Sequence, residues 1–201
     1  MTYNNIAGVY DDQGDYGKAL EWYEKALAVK ERGLGKEHPD TAVTYNNMAA
    51  VYHAQGEYKK ALKFFEKALT IREKVLGKEH PDTAATYNNM ASVYGNLGDS
   101  KNAQEWYQKA LAVLEKVLGK EHPNTASAYN NIALMHYSQG DFTRALERFG
   151  QALRIHHKVF QPNQPHYTRF HNNAKATHEK SGMVKSFETW LAEVLEEGAR
   201  D

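Results

Sequence analysis

The chain has 201 residues, 41% of them hydrophobic, and its 25 acidic and 25 basic side chains balance. Formal neutrality argues against a nucleic acid partner or an anionic membrane surface, because both normally require a net basic face. The absence of cysteine excludes a disulfide framework, a thiolate zinc site and a cysteine nucleophile.

The N-terminus, "MTYNNIAGVYDDQGDY", has no basic segment followed by an apolar core of the kind found in signal peptides. No apolar run approaches the roughly 18 to 20 residues that a membrane helix needs. The sequence therefore predicts a cytoplasmic protein without membrane insertion.

Apolar residues fall at helical spacing along the whole chain. Tyr45, Met48, Ala49 and Tyr52 follow the i, i+3, i+4, i+7 pattern of an amphipathic helix. In chain order, we expect helices near residues 2–13, 16–34, 39–55, 58–76, 81–97, 100–118, 123–139, 142–159, 164–181 and 184–198.

The spacing of 42 residues is the dominant signal. The tetrapeptide TYNN begins at Thr2, Thr44 and Thr86, and a fourth copy begins with Ala128 in place of threonine. The same period relates Gly14, Gly56, Gly98, Gly140 and Gly182, as well as Pro39, Pro81, Pro123 and Pro165. The sequence therefore predicts a repeat protein.

Glycine and proline mark the helix ends within each repeat. Gly56 suits a left-handed turn between two helices, and Gly77 suits the end of the second helix. Pro81 fits the first turn of the next helix, where a missing N–H costs nothing, and Asp82 favours the positive end of the helix dipole. Each repeat is therefore predicted to be a helix–turn–helix unit.

One helix pair cannot bury both of its apolar faces alone, so neighbouring pairs must stack around a continuous core. An open superhelical array follows. We expect a single domain over residues 1–201, with units near 1–35, 36–77, 78–119, 120–161 and 162–201. The last unit is degenerate and is predicted to cap the array: His171 replaces a tyrosine, and Phe187 replaces a recurring alanine.

The small and aromatic residues of each unit resemble the tetratricopeptide repeat (TPR). The match in one unit comprises Tyr45, Ala49, Tyr52, Gly56, Tyr58, Ala61, Phe65 and Ala68. The 42-residue length, with "LGKEHPDTA" between units, resembles the kinesin light chain subclass. This resemblance implies a right-handed α–α superhelix that serves as a protein-interaction scaffold, since kinesin light chains hold cargo peptides with their repeats.

Two features depart from that family pattern. Kinesin light chains carry a heptad coiled coil, and no sustained heptad segment occurs in these residues. Thr2 aligns with Thr44, so the first unit lacks the counterpart of "KEHPDTA". Two interpretations of this start stay open: a fragment of a longer array, or a natural start with a shortened helix.

The arc of the first helix that faces away from the stacked core is predicted to bind a peptide. In a TPR array this arc lines the concave groove, and an asparagine amide on it offers both a donor and an acceptor to a peptide backbone. The predicted groove residues are Asn4, Asn46, Asn47, Ala50, His53, Asn88, Asn89, Ser92, Asn96, Asn130, Asn131, Leu134, Tyr137 and Asn172.

A second interpretation stays open for the asparagines, above all for the second of each pair. In that interpretation they tie adjacent first helices together instead of contacting a ligand. The lysine and arginine clamp that holds a terminal carboxylate elsewhere in the wider family is missing here. Its positions hold Asn46, Ala50, Asn88, Ser92, Asn130 and Leu134.

Neither catalysis nor a cofactor is predicted. His38, His80 and His122 recur once per unit, so stacking separates them, and a loop role before proline is favoured over metal binding. No serine–histidine–acid set stands in a recognisable motif, and "GLGKEH" lacks the serine or threonine of a phosphate loop. We therefore expect no metal site and no enzyme activity.

Three hypotheses for the function remain at this point. The first is a non-catalytic scaffold that binds a peptide segment of a partner in the groove, as in kinesin light chain cargo adaptors. The second is a regulatory or sensing segment of a larger signalling protein. The third is a self-assembly module that associates end to end through apolar surface exposed at the first unit.

Overall fold

The computed structural model describes residues 2–159 and 165–197, and within these ranges all regular structure is α-helical. The helices are α1 (Tyr3–Asp12), α2 (Tyr16–Gly33), α3 (Pro39–Ala54), α4 (Tyr58–Val75), α5 (Pro81–Asn96), α6 (Ser100–Leu118), α7 (Pro123–Ser138), α8 (Phe142–Val159), α9 (Pro165–Ser181) and α10 (Phe187–Glu197). The chain divides into two compact units, Met1–Trp106 and Tyr107–Asp201, here called unit 1 and unit 2. The prediction of an all-α repeat fold is confirmed.

The predicted bounds of α1 to α9 agree with the observed ones to within one residue. The prediction for α10 is wrong by three residues at its start, because Ser186 caps the helix. The Oγ of Ser186 accepts a hydrogen bond from the N–H of Thr189 at 3.2 Å, and its carbonyl accepts one from the N–H of Trp190 at 3.0 Å. The predicted end at residue 198 lies outside the described residues.

The two turns of a repeat depend on glycine. Gly56 has φ +76° and Gly77 has φ +90°, in the left-handed region where a side chain is strained. At the first turn, the N–H of Glu57 bonds to the carbonyl of Tyr52 at 2.9 Å, which closes the end of α3. The predicted role of these glycines as helix terminators is confirmed.

The recurring histidine before each proline is a helix N-cap. His80 accepts a hydrogen bond at Nδ1 from the N–H of Asp82 at 3.1 Å, and Pro81 occupies the first turn of α5. Thr83 donates its hydroxyl to the carbonyl of Gly77 at 2.9 Å and so fixes the link to the preceding helix. The same histidine cap occurs at His38 and His122. The predicted loop role of these histidines is thus a specific capping role.

Small residues let the helices of unit 1 pack closely. Ala7 of α1 and Ala19 of α2 are fully buried and share a cluster with Tyr23 of α2. Met48 and Val51 of α3 complete this cluster, so it also joins the first helix pair to the next one. A core that continues from one repeat into the next is what the 42-residue period predicts.

Polar contacts also join successive repeats. The hydroxyl of Tyr45 donates to Oε1 of Glu31 at 2.5 Å, and burial together with this bond raises the pKa of Tyr45 to about 12. Nη1 of Arg72 donates to Oγ1 of Thr86 at 2.7 Å and to the carbonyl of Asp82 at 2.8 Å. The tyrosine–glutamate bond recurs between Tyr87 and Glu73 and between Tyr129 and Glu115.

The last helix pair of unit 2 departs from the repeat. Lys175 and Phe187 stand where the other repeats have alanine. Lys175 is exposed, and the ring of Phe187 lies 5.0 Å from that of His171 and 5.7 Å from that of His178, between centroids. These larger side chains prevent the close contact that paired alanines allow. The alanines at the two positions are Ala7, Ala49, Ala91 and Ala133, and Ala19, Ala61, Ala103 and Ala145.

Helix α10 packs against α8 at Gly150. A Cβ placed on Gly150 would lie 3.3 Å from Cγ1 of Val194 and 3.8 Å from Cζ2 of Trp190. The earlier repeats carry longer side chains at this position, namely Glu24, Glu66 and Gln108. Glycine therefore permits the approach of α10, and a cleft of 610 Å³ remains between the two helices.

Candidate peptide-binding face

The first helices of the repeats, α1, α3 and α5 in unit 1 and α7 and α9 in unit 2, carry the predicted groove residues. Tyr45, Met48 and Ala49 of α3 are buried, so the opposite arc of the helix is left accessible. Among the predicted groove residues, Asn4, Asn46, Asn47, Ala50, His53, Asn88, Asn89, Ser92, Asn131 and Tyr137 are half-buried, while Asn96, Leu134 and Asn172 are exposed. We call the nine of these residues that lie in unit 1 the first-helix face.

In unit 1 the asparagine pairs bond across neighbouring helices. Nδ2 of Asn89 donates to Oδ1 of Asn46 at 3.4 Å, which links α5 to α3. Asn47 lies near the hydroxyl of Tyr23 on α2 and partly offsets the rise that burial causes in the pKa of Tyr23. Asn89 therefore uses its amide in a contact between helices, as the alternative interpretation predicts, whereas Asn5, the second asparagine of the first pair, is exposed.

In unit 2 the same contact is made to Asn130, which is buried. Nδ2 of Asn173 donates to Oδ1 of Asn130 at 3.3 Å, and Nδ2 of Asn130 donates to Oδ1 of Asn131 at 3.3 Å. Asn130 is only 1% exposed. The prediction that Asn130 lines an accessible groove is wrong, because its amide is bonded within unit 2 and has no surface left for a ligand.

The floor of the first-helix face in unit 1 is made of small residues. Gly8, Ala50 and Ser92 occupy equivalent positions on α1, α3 and α5, and all three are partly exposed. A Cβ on Gly8 would meet only the hydroxyl of Tyr23 within 4 Å, at 3.9 Å. In unit 2 the equivalent residue is Leu134, which is 40% exposed. The small residues leave room for ligand side chains, and Leu134 offers an apolar contact.

Larger side chains lie at the C-terminal ends of the first helices. Nε2 of His53 lies 2.7 Å from Nδ2 of Asn96, and its ring lies 5.8 Å from that of Tyr58. Burial lowers the pKa of His53, which favours the neutral ring as a hydrogen-bond partner. At the equivalent position in unit 2, the ring of Tyr137 has Nζ of Lys180 4.9 Å from its centroid.

Sequence periodicity did not reveal these partners. Tyr23 lies on α2, Tyr58 on α4 and Lys180 on α9. Their neighbours among the predicted residues are Asn47, His53 and Tyr137, respectively. The available signal was the 43-residue offset, one repeat plus one residue, which relates Asn46 to Asn89 and also Tyr137 to Lys180. Residues at this offset lie beside each other on consecutive first helices.

Within residues 2–159 and 165–197, no group of three His, Cys, Asp or Glu side chains is placed to hold a metal ion. The side chains of the first-helix face are amides, small residues and single aromatic rings. What they offer is hydrogen bonding and shape, so the arrangement is suited to binding.

The fold and this face define a helical-repeat scaffold. A tetratricopeptide repeat family model matches residues 1–74, 40–116 and 82–157. The chain belongs to the tetratricopeptide repeat family, whose members are generally non-catalytic protein-interaction scaffolds, and its 42-residue units are of the kinesin light chain-like subclass.

Solved structures give the same fold. The structure of BtubC (BKLC) from P. vanneervenii matches with a TM-score of 0.75 and 26% identity, over 97% of this chain and 76% of that one. A Podosopora anserina protein with nearly identical TPR-like repeats, assigned to the kinesin light chains, matches with a TM-score of 0.72 and 24% identity, over 98% of this chain and 92% of that one. A comparison with curated protein sequences finds no match. Across the described part of the chain, no helix has the length and apolar character to cross a membrane.

Proposed function

We propose that this chain is a scaffold that binds a peptide segment of a partner protein on its first-helix face. The observation that carries the proposal is the row formed by Gly8, Ala50 and Ser92 on α1, α3 and α5, the first helices of three consecutive repeats, where each residue is small and partly exposed. Such a row admits ligand side chains, and the polar atoms beside it orient a bound backbone.

In this proposal the asparagines do not form a continuous series of ligand contacts. Asn46 accepts from Asn89 at Oδ1, so the two donors of its Nδ2 and one lone pair of its Oδ1 remain for a ligand. Asn96 is exposed and keeps more of its hydrogen-bonding capacity. Ligand choice would therefore depend on the floor residues and on His53, more than on a uniform amide series.

The proposal is tested by blocking the floor. A library of displayed peptides is selected on the immobilised chain, and the enriched peptides are titrated against Ser92→Arg and against Ala28→Arg. Ala28 is an exposed alanine on α2, so the second variant adds the same side chain away from the face. We expect Ser92→Arg to abolish binding and Ala28→Arg to preserve it.

Circular dichroism of both variants shows whether the fold is intact. Equal binding by the two variants would place the peptide elsewhere and overturn the proposal, as would a failure to enrich any peptide. A motif shared by the enriched peptides would support the cargo-adaptor hypothesis.

A further inference from the structure

The first helices of unit 1 carry carboxylates but no basic side chain. Neither lysine nor arginine occurs in α1, α3 or α5, all of whose residues the structure describes. Lys18 and Lys60, in the first turns of α2 and α4, pair with Asp15 and Glu57 at 2.7 Å and 3.4 Å. A ligand on this face therefore meets carboxylates of the first helices and no cation of theirs.

Asp11 brings a carboxylate to the edge of the first-helix face. It is half-buried and occupies the position that His53 has in the next repeat. Asn96, 43 residues after His53, lies 2.7 Å from it, whereas the residue at the same offset from Asp11 is Ala54, which has no polar side chain. No ion pair joins Asp11 to a described residue, and burial together with the charge of Asp12 raises its pKa. Ala54, on α3, thus leaves Asp11 without the partner that the next repeat provides.

Beside Asp11 the floor of the face is open at Gly8. Gly8 has no side chain, and a Cβ placed on it would meet only the hydroxyl of Tyr23 within 4 Å, at 3.9 Å. Tyr23 is 3% exposed, so its ring is buried and its hydroxyl is the part that lies at the floor. Burial and the charge of Asp11 raise the pKa of Tyr23, and Asn47 partly offsets the rise, so both side chains lie near this hydroxyl. We call Gly8, Asp11, Tyr23 and Asn47 the Gly8 subsite.

The equivalent places at Ala50 and Ser92 carry no charge. The residue equivalent to Asp11 beside Ala50 is His53, whose pKa is lowered by burial, so its ring is neutral near pH 7. Beside Ser92 the equivalent residue is Gly95, which has no side chain. A peptide that crosses the three first helices therefore meets one negative site, at Gly8, and two neutral ones further along the row.

We propose that the peptide bound on the first-helix face carries a lysine or an arginine whose cationic group lies over Gly8 and pairs with the carboxylate of Asp11. This inference rests on the proposed function, because it names the ligand chemistry of the same face. The carboxylate accepts charge-assisted hydrogen bonds from the cation, and the side-chain oxygens of Tyr23 and Asn47 can accept its remaining N–H groups. An acidic side chain at the same place is disfavoured, because it would face Asp11 with no cation between them.

The composition of selected peptides is the first test. A library of random displayed peptides is selected in parallel on the immobilised full chain and on its Asp11→Asn variant. We expect lysine or arginine to recur at one position of the peptides enriched on the wild-type chain, and this recurrence to be lost on the variant. Enriched peptides without a recurring basic residue would overturn this inference and leave the proposed function standing. Failure to enrich any peptide would overturn both.

Matched protein variants locate the charge. The most enriched peptide is synthesised with a fluorescent label, and anisotropy compares its binding to Asp11→Asn and Asp12→Asn. Asp12 is exposed, so its variant removes the same charge from α1 outside the Gly8 subsite. We expect Asp11→Asn to weaken binding by about tenfold or more, the usual scale for a lost charge-assisted hydrogen bond, and Asp12→Asn to weaken it only slightly. Equal weakening by both variants would show a general effect of net charge and would overturn the proposal.

A double-mutant cycle identifies the group that pairs with Asp11. Norleucine replaces the recurring basic residue of the peptide, which removes the charge and keeps an alkyl chain. We expect this replacement to weaken binding to the wild-type chain by about tenfold or more and to leave binding to Asp11→Asn unchanged, because the pair is already lost there. Circular dichroism shows that both protein variants are folded. Additive losses would show that the basic residue binds elsewhere, and the proposal would fall.

Discussion

Nδ2 of Asn89 donates to Oδ1 of Asn46 across two consecutive first helices, at 3.4 Å, and Asn173 makes the same contact with Asn130 at 3.3 Å. In both cases the donor is the second asparagine of its pair and the acceptor is the first asparagine of the preceding pair. The double asparagine is thus a connection between repeats, and ligand contact is left to whatever donors it does not use.

Replacing Asn89 by alanine should lower the free energy of unfolding by about 1 kcal/mol, the usual net value of one hydrogen bond. Asn5 provides the matched control, since it holds the same position in the first repeat and is exposed. Urea unfolding followed by circular dichroism measures both variants. If Asn5→Ala lowers the free energy of unfolding as much as Asn89→Ala does, the hydrogen bond between Asn89 and Asn46 does not stabilise the fold.

Tyr45→Phe should destabilise the chain by about 1.5–3 kcal/mol, because it removes a hydrogen bond to a carboxylate at a site that is 7% exposed. Tyr3→Phe removes the equivalent hydroxyl where it has no hydrogen bond among the described residues, and should be nearly neutral. Thermal unfolding of the two variants provides the comparison. Similar midpoints would show that the hydrogen bond to Glu31 does not stabilise the folded chain.

The same bond predicts how stability depends on alkaline pH. The folded-state pKa of Tyr45 is raised to about 12 from an ordinary value near 10, so its contribution is fully present below about pH 10 and is lost as pH rises through about 12. The difference in unfolding free energy between wild type and Tyr45→Phe, measured in steps from about pH 8 to 12, should therefore shrink over that window. A constant difference would contradict the assigned bond.

The fold could be predicted from the sequence because the 42-residue period appears in the helical pattern, in the turn glycines and in the prolines at the helix starts. The helical spacing indicates the same helix boundaries as Gly56, Gly77 and Pro81 do, and it does so in every copy. Because local and repeated signals agree, few alternative folds compete with this one. The exception is the start of α10, where Ser186 caps the helix three residues later than the predicted start.

The candidate site could be predicted only in part. Projection of one helix correctly gave the arc on which Asn46 and Ala50 lie, because that arc depends on local geometry. It could not give the bond between Asn173 and Asn130 or the burial of Asn130, because both depend on the rotation between adjacent repeats. A single-helix projection contains no information about that rotation.

Gly56→Ala should destabilise the chain by about 1–2 kcal/mol, because alanine is strained at φ +76° although no atom would contact its Cβ within 4 Å. Gly33→Ala is the control. Gly33 lies at the last position of α2, also has an open surrounding and has no positive φ, so alanine there should be neutral or stabilising by up to about 1 kcal/mol. Denaturant midpoints for both variants test the difference, and equal effects would refute a conformational requirement at Gly56.

Gly150→Gln should detach α10 from α8. Glutamine is the residue at the equivalent position of α6, so the change improves helix propensity by about 1 kcal/mol while its side chain is forced against Val194, which a Cβ alone would approach to 3.3 Å. Hydrogen exchange should then accelerate in α10 and stay unchanged in α3 and α4. The double variant Gly150→Gln/Val194→Ala creates space for the new side chain and should restore part of the protection. If α10 stays protected in the single variant, then the glycine does not set the position of this helix, and the packing of Phe187 against His171 and His178 must hold α10 in place by itself.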